Sequence, residues 1–350
     1  MQKKSKNKKK AVAKPLETPA IVVKDNLAQV EEQHNVIFKP NAGPQTDFLA
    51  AGEREVLYGG SAGGGKSYAM LADPLRFMGH PAFSGLLLRH TTEELRELIF
   101  KSQEMYPKIW PGIKWSERKM QWTAPSGARL WMSYLDREDD VLRYQGLAFS
   151  WIGFDELTQW PTPFAWNYMR SRLRSTAHDL PVYMRATTNP GGRGHHWVKK
   201  MFIDPAPHNK SFDATDIETT EVLKYPAGHK KAGKALFKRK FIPARLSDNP
   251  YLAEQGDYEA MLLSLPEQQR RQLLDGDWDI KEGAAFTEFD RNIHVVEPFP
   301  IPSNWVKFRA CDYGYGSKSG VVWFAVSPSE QLIVYRELYV SKVLAADLAD

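Results

Sequence analysis

The run Gly60-Ser61-Ala62-Gly63-Gly64-Gly65-Lys66-Ser67 fits the spacing G-x-x-x-x-G-K-[ST], and no other stretch constrains the chain as strongly. Glycines at these positions let the backbone wrap a concavity into which consecutive N–H groups point. The spacing predicts Lys66 between the β- and γ-phosphates of a bound triphosphate, and the Ser67 hydroxyl as a ligand for Mg²⁺. Glu55-Val56-Leu57-Tyr58 reads as a strand entering the loop, and Tyr68-Ala69-Met70-Leu71-Ala72 reads as a helix leaving it. The plain alternative is a flexible glycine-rich surface loop; the strand–loop–helix order argues against it.

A triphosphate site needs a second half, an apolar strand that ends in acids. Phe149-Ser150-Trp151-Ile152-Gly153-Phe154-Asp155-Glu156 supplies it. Asp155 is expected to hold the Mg²⁺ water shell, and Glu156 to polarise the attacking water as general base. Many strands end in a solvated acidic turn, so the run carries weight through its pairing with the phosphate loop upstream. Together the two predict hydrolysis of ATP.

At 350 residues the chain is long enough for two domains. A single cysteine, Cys311, excludes an internal disulfide framework and suits a reducing compartment. No apolar run has the length of a membrane span and no signal-peptide core is visible, so the expectation is a cytoplasmic protein without membrane attachment. The formal charge of +5 is concentrated: residues 1–14 hold seven lysines and no acid, and the remainder is slightly acidic. Residues 1–34 therefore read as a basic disordered tail, either a non-specific nucleic-acid contact or a merely solubilising segment.

From about 35 to 200, apolar runs (Ser84 to Arg89, Ala128 to Tyr134, Val182 to Thr187) alternate with helical stretches such as Thr92 to Lys101, the pattern of a mostly parallel sheet covered on both sides. Phe202 to about Ala244 reads as loop-rich, with a basic cluster at Lys230, Lys231, Lys234, Lys238, Arg239 and Lys240. Phe237 and Phe241 interleave with it, a pattern open to either a DNA-backbone contact or a solvated loop. Leu252 to Leu274 has helical spacing, with Pro266 opening a second segment. Pro298, Pro300 and Pro302 mark a linker over 298–304, and three strand-like runs follow as a meander. The expected division is an ATPase domain over 35–297 and the start of a second domain over 305–350.

Several motifs in order resemble the large terminase subunits of tailed double-stranded DNA bacteriophages, motors that package viral DNA and cut it. Gly43-Pro44-Gln45-Thr46-Asp47-Phe48 is similar to that family's adenine-recognition segment, which implies that Gln45 reads the base edge. Thr187-Thr188-Asn189-Pro190-Gly191-Gly192 resembles its coupling turn, with Thr188 and Asn189 bonding a phosphate-bound water. Gln269 to Trp278 resembles the segment that closes the ATPase domain. The resemblance implies an α/β fold, a P-loop ATPase of the ASCE type with a mostly parallel sheet. It also implies a ribonuclease-H-like nuclease beginning at Phe308 to Gly316, with Asp312 as its first ligand for Mg²⁺ or Mn²⁺. The implied partners are double-stranded DNA, the procapsid portal, a small terminase subunit and further copies in a ring, in the host cytoplasm and transiently docked on the procapsid. Glu337 does not match the family's second acid well, and Asp347 and Asp350 read as solvated, so the nuclease is expected to be incomplete over these residues.

Such motors also need an arginine against the transferring phosphate. Arg143, twelve residues before Asp155, is expected to reach a ring neighbour's site, and Arg89 is the alternative within one subunit. His195 and His196 lack partners at metal-ligand spacing and read as a polar loop. A helicase-type ATPase is the rival function; it calls for a second ATPase-like domain, which the strand meander after Pro302 does not resemble.

Overall fold

The computed structural model describes residues 37–280, 291–314, 318–341 and 343; the tail expected over 1–34, Asp347 and Asp350 lie outside them. Contacts divide the chain into two compact units, Met1–Gly283 and Ala284–Asp350.

In the first unit the short apolar runs become strands of one sheet. These are β1 (Glu55–Gly60), β2 (Ser84–Arg89), β3 (Lys114–Ser116), β4 (Gln121–Thr123), β5 (Arg129–Tyr134), β6 (Trp151–Asp155), β7 (Tyr183–Thr188), β8 (Ser211–Asp213) and β9 (Lys238–Ala244). Their spatial order is β3-β4-β5-β2-β6-β7-β1-β9-β8. The six strands from β5 to β9 in that order pair in parallel, and β3, β4 and β8 add antiparallel edges. β1, β6 and β7 are buried at every position, as strands covered on both faces must be. Successive side chains serve opposite cores: Tyr58 and Leu87 pack with Phe48, Met70 and Tyr106, while Leu57 and Leu86 pack with Phe154, Trp166 and Phe241. The fold is the expected α/β class with a large, mostly parallel sheet.

The helices nearest the sheet are α1 (Pro44–Ala50), α2 (Lys66–Ala72), α3 (Thr92–Ile109) and α4 (Phe164–Arg170). α3 begins at a capping box between Thr91 and Glu94, and its stripe of Leu95, Leu98, Ile99, Ser102, Met105 and Tyr106 is buried. It runs past the expected end at Lys101 because that stripe continues as far as Tyr106. Among the described residues no helix is long and apolar enough to cross a membrane.

Two expectations needed revision. Lys238 to Ala244, read as part of a basic loop, is β9, an inner strand hydrogen-bonded to β1. Arg239 is buried there and donates from Nε to Glu55 Oε2 at 2.8 Å, while Arg170 holds the other carboxylate oxygen. Phe241 belongs to the core. A pair of charged residues flanking one buried arginine hides a strand from any reading based on hydropathy. The helical stretch from Leu252 to Leu274 is broken into α5 (Pro250–Ala253), α6 (Asp257–Leu263), α7 (Glu267–Arg270) and a wide turn at Arg271–Asp275. Gly256, at φ 69°, interrupts the first two.

In the second unit the three runs form the expected antiparallel meander, β10 (Val306–Asp312), β11 (Lys318–Val326) and β12 (Leu332–Ser341). Asp312 lies opposite Gly320 and Glu337 opposite Val322, so the two acids share one face of the sheet.

Glu55 gives the first unit a measurable acid sensitivity. Burial by itself pushes its carboxyl up, but Arg170 and Arg239 outweigh it and hold the group below its ordinary 4.5. A depressed carboxyl contributes stability present above the unfolded pKa and lost as pH falls through the folded one. Glu55→Gln leaves the buried Arg239 and the half-buried Arg170 without a counter-charge and should cost about 3–5 kcal/mol in a urea titration at pH 7. It should also shrink the loss of stability that wild type shows below pH 4.5.

Candidate nucleotide site

β1 delivers the chain into the phosphate loop at the edge of the sheet where the parallel strands end. Gly60 stands at φ 142°, and a Cβ there would meet the Ala244 carbonyl of β9 at 2.3 Å, so no other residue fits. Four of the loop carbonyls are held by side chains. Lys66 Nζ donates to Ser61 O at 2.6 Å, Asn249 Nδ2 to Gly63 O at 2.7 Å, Tyr58 Oη to Gly64 O at 2.6 Å and Gln45 Nε2 to Gly65 O at 2.8 Å. In a trans peptide the carbonyl and the next N–H point opposite ways, so each pinned carbonyl aims an N–H to the other side. The N–H groups of Ser61 and Ala62 are taken by Ala244 O at 2.8 Å and Leu273 O at 2.6 Å. Those of Gly63, Gly64, Gly65 and Lys66 take no protein acceptor among the described residues, which leaves a row of donors suited to a phosphate chain. Burial and Asp248 push the Tyr58 hydroxyl up, keeping it a donor.

The acids stand beside this loop. Asp155, the last residue of β6, is 1% exposed; Arg89, ending β2, bonds one of its oxygens and the Thr187 hydroxyl of β7 donates to the other. Glu156 follows in the left-handed region at φ 60°, ψ 55°, a conformation costing a non-glycine residue about 1 kcal/mol. The turn takes its carboxylate out of the line of β6. Burial, and next the charge of Asp155, push the Glu156 carboxyl up, against the opposing pull of Lys66 and Arg89. Burial pulls the Lys66 ammonium down, while Glu156 and Asp155 support its charge.

The other expected site residues divide. Gln45 is buried at the loop, and its Oε1 also accepts from Asn41 N at 2.6 Å. Asn189 Nδ2 lies 3.5 Å from Glu156 Oε1, and its Oδ1 is buried with no partner among the described residues. Thr188 departs from the expectation: its hydroxyl is 2.7 Å from Thr158 Oγ1 and accepts from Thr158 N at 3.2 Å, and the neighbouring Thr187 is the one that reaches Asp155. Strand alternation sends adjacent side chains to opposite faces, so only one of the two threonines meets the acid. Arg143 lies in the turn Glu138–Tyr144, exposed, bonded to the Tyr134 carbonyl and set over the rings of Tyr134 and Tyr144 at 5.6 and 5.5 Å. Arg89, not Arg143, touches Asp155 of its own subunit.

His195, read as part of a polar loop, is buried. Its Nδ1 accepts from Gly191 N at 2.8 Å, its Nε2 lies 3.1 Å from Trp278 O, and its ring stacks on Trp278. It thereby joins the turn after β7 to the segment after α7. Tyr58, Thr187 and Asn249 escaped the sequence reading. Tyr58 and Thr187 look like ordinary strand residues, and Asn249 stands in Ser247-Asp248-Asn249-Pro250, which reads as a plain turn.

A pinned phosphate loop and a strand-end acid pair on a mostly parallel sheet define a phosphate-loop ATPase. A sequence model described as the terminase large subunit, T4likevirus-type, N-terminal region matches residues 57–293. The chain belongs to the family of terminase large subunits. Among solved structures it is similar to the large terminase of a thermophilic bacteriophage, 17% identical over 86% of this chain and 69% of that one, with a TM-score of 0.50. It is also similar to the ATPase domain of the Thermus phage P74-26 large terminase (12% identity, 69% of this chain, 94% of that one, TM-score 0.45). The HK97 bacteriophage large terminase matches over 84% of this chain and 62% of its own, at 12% identity and TM-score 0.42. At 17% identity the first of these likenesses is one of fold alone. No curated protein matches the chain.

Glu156→Gln should bind ATP with wild-type affinity and lose turnover by at least about 100-fold in a phosphate-release assay. A general base acts deprotonated and the Glu156 carboxyl is raised, so if Glu156 is that base turnover should climb with pH through a limb lying above the ordinary 4.5.

Proposed function

We propose that this chain is the motor subunit of a viral DNA-packaging machine, hydrolysing ATP to drive duplex DNA into a procapsid. The observation that carries the reading is the row of N–H donors from Gly63 to Lys66 without a protein acceptor among the described residues, beside a lysine whose charge Glu156 and Asp155 support, in a chain of the terminase family.

In this reading the donors from Gly63 to Lys66 bind the phosphates, and Lys66 leaves the Ser61 carbonyl for the β- and γ-phosphates. Mg²⁺ is a hard ion that takes oxygen ligands, and the Ser67 hydroxyl with the Asp155 carboxylate offers a fitting set. Bound there, the ion would neutralise phosphate charge. Glu156 orients the attacking water and accepts its proton, and Asn189 senses the γ-phosphate side of the site. Thr188 ties that sensor to the Thr158 turn, and His195 carries its position to Trp278. Gln45 keeps one N–H and one lone pair beyond its bonds to Gly65 and Asn41, the two groups an adenine edge requires. Arg143, exposed and held by two tyrosine rings, suits the role of stabilising charge in a neighbouring subunit of a ring. Arg143→Ala should leave ATP affinity unchanged and lower turnover only under conditions where subunits assemble, measured against protein concentration.

The arm between β8 and β9 suits the DNA contact. Its lysines Lys224, Lys230, Lys231 and Lys234 make no ion pair among the described residues, and no acid occurs from 222 to 247. The arm is shaped by bridges Thr215↔Val222 and Lys224↔Ala235 and by the Tyr225–His229 stack at 4.5 Å. At its base Phe237 sits between the guanidiniums of Arg170 and Arg239 at 5.2 and 5.6 Å. Converting these four lysines to alanine should leave basal ATP turnover intact. It should flatten the slope of log affinity for duplex DNA against log salt by roughly 3 to 4.

A metal-dependent endonuclease in the second unit, with Asp312 as one ligand, and docking to the portal and the small terminase subunit complete the proposal. Among the described residues no group of three metal-ligating side chains gathers, so Asp312 stands as a single candidate ligand without an assigned cleavage step. Action in the host cytoplasm, transiently on the procapsid, follows from the same reading.

A further inference from the structure

Of the four side chains that pin the phosphate loop, three come from the loop itself, the strand entering it, or the segment just before that strand. The fourth, Asn249, comes from 186 positions away and has no sequence signature. It occupies the residue ahead of α5, where an asparagine ordinarily caps the helix by accepting an N–H with its side-chain oxygen. Here it makes no side-chain cap bond. Its Oδ1 is buried without a partner among the described residues, and its Nδ2 is spent on the Gly63 carbonyl at 2.7 Å. A side chain that leaves its acceptor unpaired to place its donor on the loop is not explained by helix stability.

Gly63 is enclosed by the same segment. A Cβ there would lie 2.7 Å from Leu246, 2.9 Å from Tyr258 and 3.2 Å from Leu252, and its φ of 77° is a glycine conformation. The carbonyl Asn249 holds belongs to the peptide whose other end is the Gly64 N–H, and that N–H takes no protein acceptor among the described residues. Fixing one end of a rigid trans plane fixes the other.

We propose that Asn249 is a positioning residue for the triphosphate. It holds the Gly63–Gly64 peptide so that the Gly64 N–H faces the phosphates, and it ties the segment after β9 to nucleotide binding. The proposal rests on the reading that this loop binds ATP.

The test is calorimetric titration of the full chain with Mg·ATP, alongside steady-state turnover and the melting temperature without nucleotide. Asn249→Ala should raise the Kd and KM for ATP about tenfold, with kcat at saturation within about threefold of wild type and the apo protein still folded. Asn249→Asp keeps the size and the oxygen but loses the donor and adds charge, so it should bind more weakly than the alanine variant. Asn249→Ser can cap α5 but is too short to reach Gly63, so it should behave as alanine does. Wild-type affinity in both the Ala and Asp variants, or full rescue by Ser, would overturn the proposal. Failure of the wild-type chain to bind ATP would instead remove the functional reading on which it rests.

Discussion

A peptide plane has one carbonyl and one N–H on opposite sides, and a loop that must offer N–H groups to an anion has to find partners for the carbonyls it turns away. Here those partners are side chains drawn from across the first unit: Gln45 from α1, Tyr58 from β1, Lys66 from the loop and Asn249 from the turn after β9. The arrangement depends on the order of the sheet. β1 lies between β7 and β9, so the loop at its end has the turn after β7 on one side and Ala244 to Asn249 on the other. Strands that begin far apart in sequence thus supply one candidate anion site.

The same order concentrates charge. β2, β6 and β7 end together, which sets Arg89, Asp155 and Thr187 in contact and leaves Glu156 at the exit. Asp155 is paired, so its burial is compensated, whereas Glu156 has a long contact to Asn189 and a strained backbone. The less firmly held acid is the one whose proposed role is to handle a proton. At the opposite end of β1, Glu55 with Arg170 and Arg239 is fully paired, and its role is stability.

Local patterns made much of this legible. The glycine spacing announced the loop; alternating apolar runs announced β1, β2, β5, β6, β7 and the β10–β12 meander; the acid pair announced the end of β6. What stayed hidden was of two kinds. β9 was missed because Lys238, Arg239 and Lys240 look solvated until Glu55 is known to lie beside Arg239. The break at Pro266 in the 252–274 stretch was legible, but the break at Gly256 was missed because the apolar spacing there also suits residues that cover the loop, such as Leu252 and Tyr258.

The sequence by itself determined which chemistry this chain can attempt, because the residues proposed to touch phosphate and water come in contiguous runs with their own backbone requirements. Only the tertiary structure decided which side chains orient those runs. Thr187 rather than Thr188 meets Asp155, Arg89 rather than Arg143 sits on Asp155 of its own subunit, His195 is a buried tie, and Asn249 holds Gly63. The physical reason is that orientation arises from bonds between segments distant in sequence, and strand order and register, which no single segment encodes, set which of them meet.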